Sequence, residues 1–325
     1  MKLPRRQFLR LATGATALPA ASRIARAQAY PSRPARIVVP FAAGGSTDIS
    51  ARLIGQWLSE RLGQQFVIEN RPGGGSNIGT EVVVNAPPDG YTLLLVGASF
   101  AINATLYDKL NFNFLRDIAP VSGINSVPFI MAVHPSFPAK TVSEFIAYAR
   151  ANPGKVNMAS GGHGTAGHLS GELIKMMAGI NMVHVPYRGE ASALSDMLGG
   201  QVQAMFGTMP ASIEHVRAGK LRPLAVTSAK RSELLPDLPT VGDSVPGYET
   251  SAWQGVGAPK NTSAEIVERL NKEINAGLAD PKIKARLADL GGTVLAGSPA
   301  DFGKLIAEET EKWGKVIRAA NIKAE

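Results

Sequence analysis

Short apolar runs alternate along the chain with longer segments whose apolar residues recur at helical spacing. Residues 37–39 form one run, and after a glycine-rich turn the apolar residues between 49 and 62 recur at intervals of mostly three and four. These intervals place the side chains on one face of an α-helix. The same order of run, turn and helix recurs at 66–84 and 156–177. It predicts a parallel sheet with crossover helices, the architecture of an α/β protein.

Further apolar runs predict more strands, and the C-terminal part is predicted to be mostly helical. The additional strands are expected at 91–96, 129–133, 182–185 and 224–227. Thr262 or Ser263 can cap a helix that ends at Pro281, and a last helix is expected over 299–320.

Proline and glycine are concentrated around 119–128 and 236–259, which are the predicted crossings between two lobes. Two crossings assign residues 28–126 and 252–325 to lobe 1 and residues 127–251 to lobe 2. About 300 residues are enough for two lobes, because single cores stop growing at roughly 250–300 residues.

The first 27 residues have the pattern of an export signal. Arg5 and Arg6 precede a run of small and apolar residues, 11–21, which is far shorter than the ~20 residues of a membrane-spanning helix. Small residues then favour cleavage after Ala27. The adjacent arginines resemble the twin-arginine signal, and an ordinary secretory signal is the alternative. Either route predicts a periplasmic protein.

Removal of this signal nearly neutralises the chain. The signal holds six of the 34 lysines and arginines and none of the 26 acidic residues, so 28 basic residues remain and the net charge falls from +8 to +2. The mature chain has no cluster of basic and aromatic residues, and we therefore expect no nucleic-acid partner. The absence of cysteine excludes disulfides, thiolate nucleophiles and cysteine-ligated metals.

Two glycine-rich turns are candidate anion sites. The turns 40–48 and 160–168 each place backbone N–H groups and hydroxyls at the predicted start of a helix. Unpaired amides and the positive end of the helix dipole favour a carboxylate, phosphate or sulfate. Alternatively, each turn only reverses the chain, and a side chain such as Asp48 caps the helix. If Asp48 instead faces the ligand, it selects ligands that carry a hydroxyl, an amine or a bound water.

The sequence carries no complete motif for catalysis, a cofactor or a metal. Residues 162–167 match the dinucleotide fingerprint G-x-G-x-x-G, but the next predicted strand ends without the acidic residue that holds a ribose. His163 and His168 are five residues apart and lack the glutamate of a helical zinc motif, so we expect them to cap or pack. No serine lies in a nucleophile elbow. We therefore expect a protein that is not an enzyme, with no catalytic residues, cofactor or metal.

Ordered motifs extend through the mature chain: PFAAGGSTD at 40–48, NRPGGGSNIG at 70–79, DGYTL at 89–93, SGGHGT at 160–165, VPYRG at 185–189 and HVRAGKLR at 215–222. Together they resemble the Bug family, the extracytoplasmic solute-binding receptors of tripartite tricarboxylate transporters. The resemblance implies a type II periplasmic-binding-protein fold, in which two α/β lobes joined by two hinge crossings close on a small organic acid. It also implies a membrane permease as partner, and we expect a monomer. A sensor that signals to a membrane kinase is the alternative, because it needs the same cleft and closure.

The resemblance further implies which residues contact the ligand. The first turn contributes Phe41, Ala43, Gly45, Ser46, Thr47 and Asp48, the second contributes Ser160, Gly162 and Thr165, and Ser99, Tyr187 and Thr208 are additional candidates. The sequence departs from the family pattern at Gly207 and Thr208, where relatives carry Asp or Asn. It also departs at His163, which is a candidate for contacting the second functional group of the ligand.

Overall fold

The computed structural model describes residues 30–107, 109–289, 291–319 and 321–324, so the predicted export signal lies outside the described residues. The elements of the N-terminal half are β1 (Ala35–Val39), α1 (Ser46–Leu62), β2 (Phe66–Asn70), α2 (Asn77–Val84), β3 (Thr92–Gly97), α3 (Ala98–Leu106), α4 (Phe114–Asp117), β4 (Ile118–Val133), α5 (Val142–Ala151) and β5 (Asn157–Ser160). The chain continues as α6 (Ala166–Ala178), β6 (Val183–Pro186), α7 (Glu190–Leu198), β7 (Ala204–Thr208), α8 (Met209–Arg217), β8 (Arg222–Val226), β9 (Ser251–Pro259), α9 (Ala264–Ala279), α10 (Pro281–Asp289), β10 (Thr293–Val294) and α11 (Pro299–Ala319).

The strands form one curled sheet with two sections. In the first section the order is β2-β1-β3-β9-β4, with β1, β2 and β3 parallel to one another and β9 antiparallel to both β3 and β4. In the second section β4 lies between β7 and β8, and β5 and β6 continue beyond β7. The strands that precede α1, α3, α6, α7 and α8 therefore direct their carboxyl ends toward the junction of the two sections.

The strand β4 connects the two sections without a turn. It pairs with β9 from Ile118 to Pro128 and with β7 from Phe129 to Val133. The predicted crossing segments 119–128 and 236–259 thus contain strand residues of β4 and β9. The glycines of β9 are explained by close packing, because a Cβ on Gly255 would overlap the ring of Phe302. Glycine in this strand therefore serves close packing, and the lobe crossings stay a prediction.

The other predicted elements form close to their expected ends. Strands expected from apolar runs differ from the observed strands by two residues or fewer, except that 129–133 is only the end of the 16-residue β4. Ser263, and not Thr262, caps α9, because its hydroxyl accepts the backbone N–H of Ile266 at 3.4 Å. None of the helices in the described part of the chain is long and apolar enough to span a membrane.

Candidate ligand-binding cleft

A cavity of about 80 Å³ lies at the junction of the two sheet sections. Its walls are largely apolar and include Phe41, Phe129, Phe206 and Trp253. The polar side chains that line it are Ser46, Thr47, Ser99, Thr165, Glu190, Thr208 and Gln254. A mostly apolar pocket with a few convergent polar groups is the usual form of a small-molecule site.

Five helices begin at the edge of this cavity. The lining residues include Ser46 of α1, Ala98 of α3, Ala166 of α6, Glu190 of α7, and Thr208, which immediately precedes α8. Each helix N-terminus carries unpaired N–H groups and a partial positive charge. Their convergence makes the cavity favourable for an anion without any basic side chain, and the described residues that line it include no lysine, arginine or histidine.

Four of these helices have no capping hydrogen bond from the side chain of their own N-cap residue. They are α1, α3, α7 and α8, whose N-cap residues are Gly45, Gly97, Gly189 and Thr208. In α1 the N–H of Ser46 is donated to Glu190 at 3.5 Å. Helix α6 differs, because the hydroxyl of Thr165 accepts the backbone N–H of His168 at 3.3 Å. Amides that are not used by a cap are the donors that a ligand carboxylate requires.

Two polar side chains meet inside the cleft on the side of the first section. Gln254 of β9 donates from Nε2 to the Ser46 hydroxyl at 2.7 Å, and both side chains are buried. The other amide atom of Gln254, Oε1, is buried and has no hydrogen-bond partner in the described part of the chain. A buried polar atom without a partner is rare in folded proteins, so this group is suited to contact a ligand or an ordered water.

Glu190 crosses the cleft, and the sequence interpretation missed it. Its carboxylate accepts the backbone N–H of Thr208, the Thr208 hydroxyl at 2.7 Å and the Ser46 N–H at 3.5 Å. Burial raises the pKa of Glu190, although the hydrogen bonds from Thr208 and Ser46 oppose that rise. The sequence feature that points to Glu190 is an acidic residue directly after Gly189 at the start of a helix. Acidic residues are also favoured at the starts of helices on the protein surface, so this feature does not single out a binding site.

The residues predicted to contact the ligand divide into two groups. Those that line the cavity are Phe41, Gly45, Ser46, Thr47, Ser99, Thr165 and Thr208. Those outside its lining are Ala43, Asp48, Ser160, Gly162, His163 and Tyr187. The structure therefore brings together hydroxyls of both predicted turns, and ligand contact by each residue stays a prediction.

Asp48 is turned into the first turn. Its carboxylate accepts the Gly44 N–H at 3.0 Å, two hydrogen bonds from Arg52 at 2.9 and 3.0 Å, and one from Asn70 at 3.0 Å. Desolvation acts to raise the pKa of Asp48, but the bonds from Arg52, Gly44 and Asn70 lower it overall. Asp48 fixes the turn by these bonds, whereas the N-cap of α1 is Gly45.

The second turn uses its hydroxyls largely for itself. Ser160 accepts the Gly162 N–H at 3.1 Å and lies 2.6 Å from Nε2 of His184. Thr165 donates its hydroxyl proton to the Gly162 carbonyl at 2.8 Å. The Tyr187 hydroxyl donates to Asp196 at 2.6 Å, and desolvation with this bond raises the pKa of Tyr187 to about 12.

Three imidazoles pack behind the second turn, because β6 brings His184 beside His163 and His168. His168 and His184 are stacked, with ring centroids 3.8 Å apart and an interplanar angle of 14°. Burial and the neighbouring imidazoles lower the pKa of His168 to about 2 and that of His184 to about 3.

The three imidazoles could be considered as metal ligands, because one nitrogen from each ring lies within 4.8 Å of the others. Stacked rings direct their nitrogens side by side, whereas a metal needs lone pairs that converge at about 2.0–2.1 Å. The arrangement therefore fits packing of neutral rings better than metal coordination.

A family model described as the tripartite tricarboxylate transporter family receptor matches residues 50–322. The chain belongs to this receptor family. Protein BugT of Bordetella pertussis is 37% identical over 300 residues, which cover 91% of this chain and 92% of BugT. The structure of R. palustris Rpa4515 with adipate has 40% sequence identity and a TM-score of 0.88, and the match covers 90% of this chain and 99% of that chain. The structure of MatC (Rpa3494) from Rhodopseudomonas palustris with bound malate has 31% identity and a TM-score of 0.86, and the match covers 89% of this chain and all 100% of MatC.

Membership of the receptor family agrees with the fold expected from the sequence. The parallel strands of each sheet section, the connection through β4 and the similarity to these structures confirm a two-lobed α/β solute-binding fold of the periplasmic type. The resemblance inferred from the six motifs is likewise confirmed. In this receptor the cleft described above is the region where the two lobes meet.

Proposed function

We propose that this receptor captures a small organic carboxylate in the periplasm and delivers it, as a monomer, to the membrane permease of a tripartite transporter. The observation that carries the proposal is the convergence of five helix N-termini on one cavity without a basic side chain among the described lining residues. Such a site binds an anion through backbone amides and hydroxyls. Adipate and malate, which are named with two of the related structures, are small carboxylates of the proposed class.

Binding is expected to close the two lobes, because only the closed arrangement directs helices of both lobes at one ligand. The cleft supplies donors and apolar walls, but none of the described lining residues forms a nucleophile and base pair. The proposed role is therefore binding and release without chemical change of the ligand.

A thermal-shift screen against carboxylic acids tests this proposal. The panel contains dicarboxylates, tricarboxylates, hydroxy acids, amino acids and aromatic acids, and the methyl esters of each hit serve as uncharged controls. An acid at 100 times its dissociation constant adds about 2.7 kcal/mol to the free energy of unfolding. We expect the acid to raise the melting temperature and its ester to have no effect. A panel in which no acid shifts the melting temperature contradicts the proposal.

Two further measurements separate transport from the alternatives. Uptake of the labelled acid by cells should require both this receptor and its permease. Uptake that persists without the receptor, together with a response of a sensor kinase to the acid, would favour the sensor. Mass spectrometry of each hit after incubation should return it unchanged, and a converted product would indicate an enzyme.

A further inference from the structure

Glu190 places a carboxylate of lobe 2 at the N-terminus of a helix of lobe 1. It is the first residue of α7, and one of its oxygens lies 3.5 Å from the N–H of Ser46, the first residue of α1. Both oxygens also accept hydrogen bonds from Thr208, through the backbone N–H and through the hydroxyl at 2.7 Å. The side chain therefore occupies donors that would otherwise meet a ligand carboxylate.

The backbone around Glu190 fixes this position. Gly189 has a φ of 145°, and a Cβ there would lie 2.9 Å from the Cβ of Ala42. A Cβ on Gly161 would lie 3.1 Å from the backbone nitrogen of Glu190. Glycine at 189 lets α7 begin against the first turn, and glycine at 161 lets it begin against the second turn. The carboxylate of Glu190 consequently points into the cleft between them.

Glu190 also determines the charge of the cavity. Within the described lining it is the one ionisable side chain, and the surrounding walls include Phe41, Phe129 and Trp253. Two carboxylates that share a dry site repel each other unless one of them takes up a proton. A ligand that carries an ammonium or a hydroxyl group instead donates a hydrogen bond to the carboxylate, and such a charge-assisted bond is among the stronger ones.

We propose that Glu190 is a specificity-determining residue, which makes the cleft select an acid carrying an ammonium or hydroxyl donor over the plain acid of equal length. This inference rests on the proposed function, because it requires that the cavity binds carboxylates. The uncapped amides at the start of α3 remain for the carboxylate of the ligand. Gln254, whose Oε1 has no partner among the described residues, lies in the same cavity. The donor-reading role that the sequence suggested for Asp48 is thus assigned to Glu190.

Calorimetry with matched acids tests the assignment. Succinate is compared with malate, which adds a hydroxyl, and with aspartate, which adds an ammonium; glutarate, 2-hydroxyglutarate and glutamate form a second series. We expect the wild type to bind at least one substituted acid about tenfold more tightly than the plain acid, the ratio typical of one hydrogen bond to a charged group. The two series show which donor, hydroxyl or ammonium, the carboxylate prefers.

The variant Glu190→Gln keeps the size of the side chain and removes its charge. We expect this variant to bind the plain acid more tightly and to lose the preference for the substituted acid. Glu233→Gln, which changes an exposed glutamate of the same lobe, is the matched control and should keep the wild-type ratio. Glu190→Ala is a second variant that should give the same loss if Glu190→Gln does not fold.

The ratio of affinities distinguishes specificity from a merely structural role. If Glu190 only holds the lobes together, its replacement changes the affinity for every acid by the same factor and leaves the ratio unchanged. An unchanged ratio, or a wild type that prefers the plain acid, overturns this inference and leaves the proposed function intact. Binding of no acid to the wild type overturns the proposed function and this inference with it.

Discussion

At the residue scale, the buried histidines show how a local sequence feature acquires its properties from its surroundings. His168 is 4% exposed, and its Nδ1 accepts the Gly164 N–H at 3.3 Å. His184 packs against it, and Nδ1 of His184 has no hydrogen-bond partner in the described residues. Protonation would place a charge in this packed cluster, so both rings stay neutral in the folded protein.

Acid is therefore expected to destabilise the receptor through these histidines. In the unfolded chain a histidine has a pKa near 6.5, whereas the pKa is about 2 for His168 and about 3 for His184 in the folded protein. Between pH 6.5 and 3 the unfolded chain binds more protons than the folded protein does, so the free energy of unfolding falls as the pH falls. The expected slope is about 1.4 kcal/mol per pH unit for each neutral histidine. Urea unfolding at a series of pH values from 7 to 4 measures it.

The variant His184→Gln should reduce this dependence on pH. Glutamine can keep the hydrogen bond to Ser160, which now lies 2.6 Å from Nε2 of His184, and it does not titrate. His215→Gln on α8, which lies outside the cluster, is the control and should keep the wild-type slope. Equal slopes in the wild type and His184→Gln would show that His184 does not cause the acid sensitivity.

At the scale of elements, the two glycine-rich segments that face each other fix how closely the lobes approach. Gly75 belongs to the turn before α2, and its φ of +62° lies in the left-handed region. A Cβ on this residue would overlap the carbonyl oxygen of His163 in the turn before α6. The absence of a side chain at Gly75 therefore permits the observed contact between the lobes.

Gly75→Ala is expected to weaken ligand binding by about tenfold or more, because it separates the two turns in the closed state. Gly74→Ala is a closely matched control. Gly74 has a φ of +58°, but a Cβ there would lie 3.7 Å from Asn77 and Ile78 of its own segment, which is an ordinary contact. Both variants should lose a similar amount of stability from backbone strain, about 1 kcal/mol. Equal affinities of the two variants would show that closure does not depend on this contact.

At the scale of the whole molecule, the order of the strands creates the binding cavity. The strand β9 inserts between β3 and β4, which brings Gln254 beside Ser46 of α1. The strand β4 belongs to both sections, so that any movement of the lobes must bend it or the return segment before β9. The register of β4 with β9 is irregular between Pro120 and Ser122 and between Gly123 and Asn125.

Saturation with ligand is expected to reduce the radius of gyration and to slow hydrogen exchange in residues 44–47 and 161–165. The reason is that amides of both lobes become bonded to one ligand only in the closed state. Small-angle X-ray scattering and hydrogen-exchange mass spectrometry measure the two effects. Peptides from α10, outside the cavity, are the internal reference. An unchanged radius and unchanged exchange in both turns at saturation would show that binding does not close the lobes.

The sequence by itself determined the family, the two glycine-rich turns and the elements around them, but it did not predict β7, β9 or most of β4 as strands. Periodicity, glycine and capping act over a few residues, and so 37–62 and 156–177 form the expected strand, turn and helix units. Only the tertiary structure decided which side chains enter the cleft. Glu190 and Ser46 are 144 residues apart, and Gln254 and Ser46 are 208 apart. These contacts follow from the strand order and from the close approach of α7, which no local pattern encodes. For the same reason His184 joins His168 only after β6 pairs with β5.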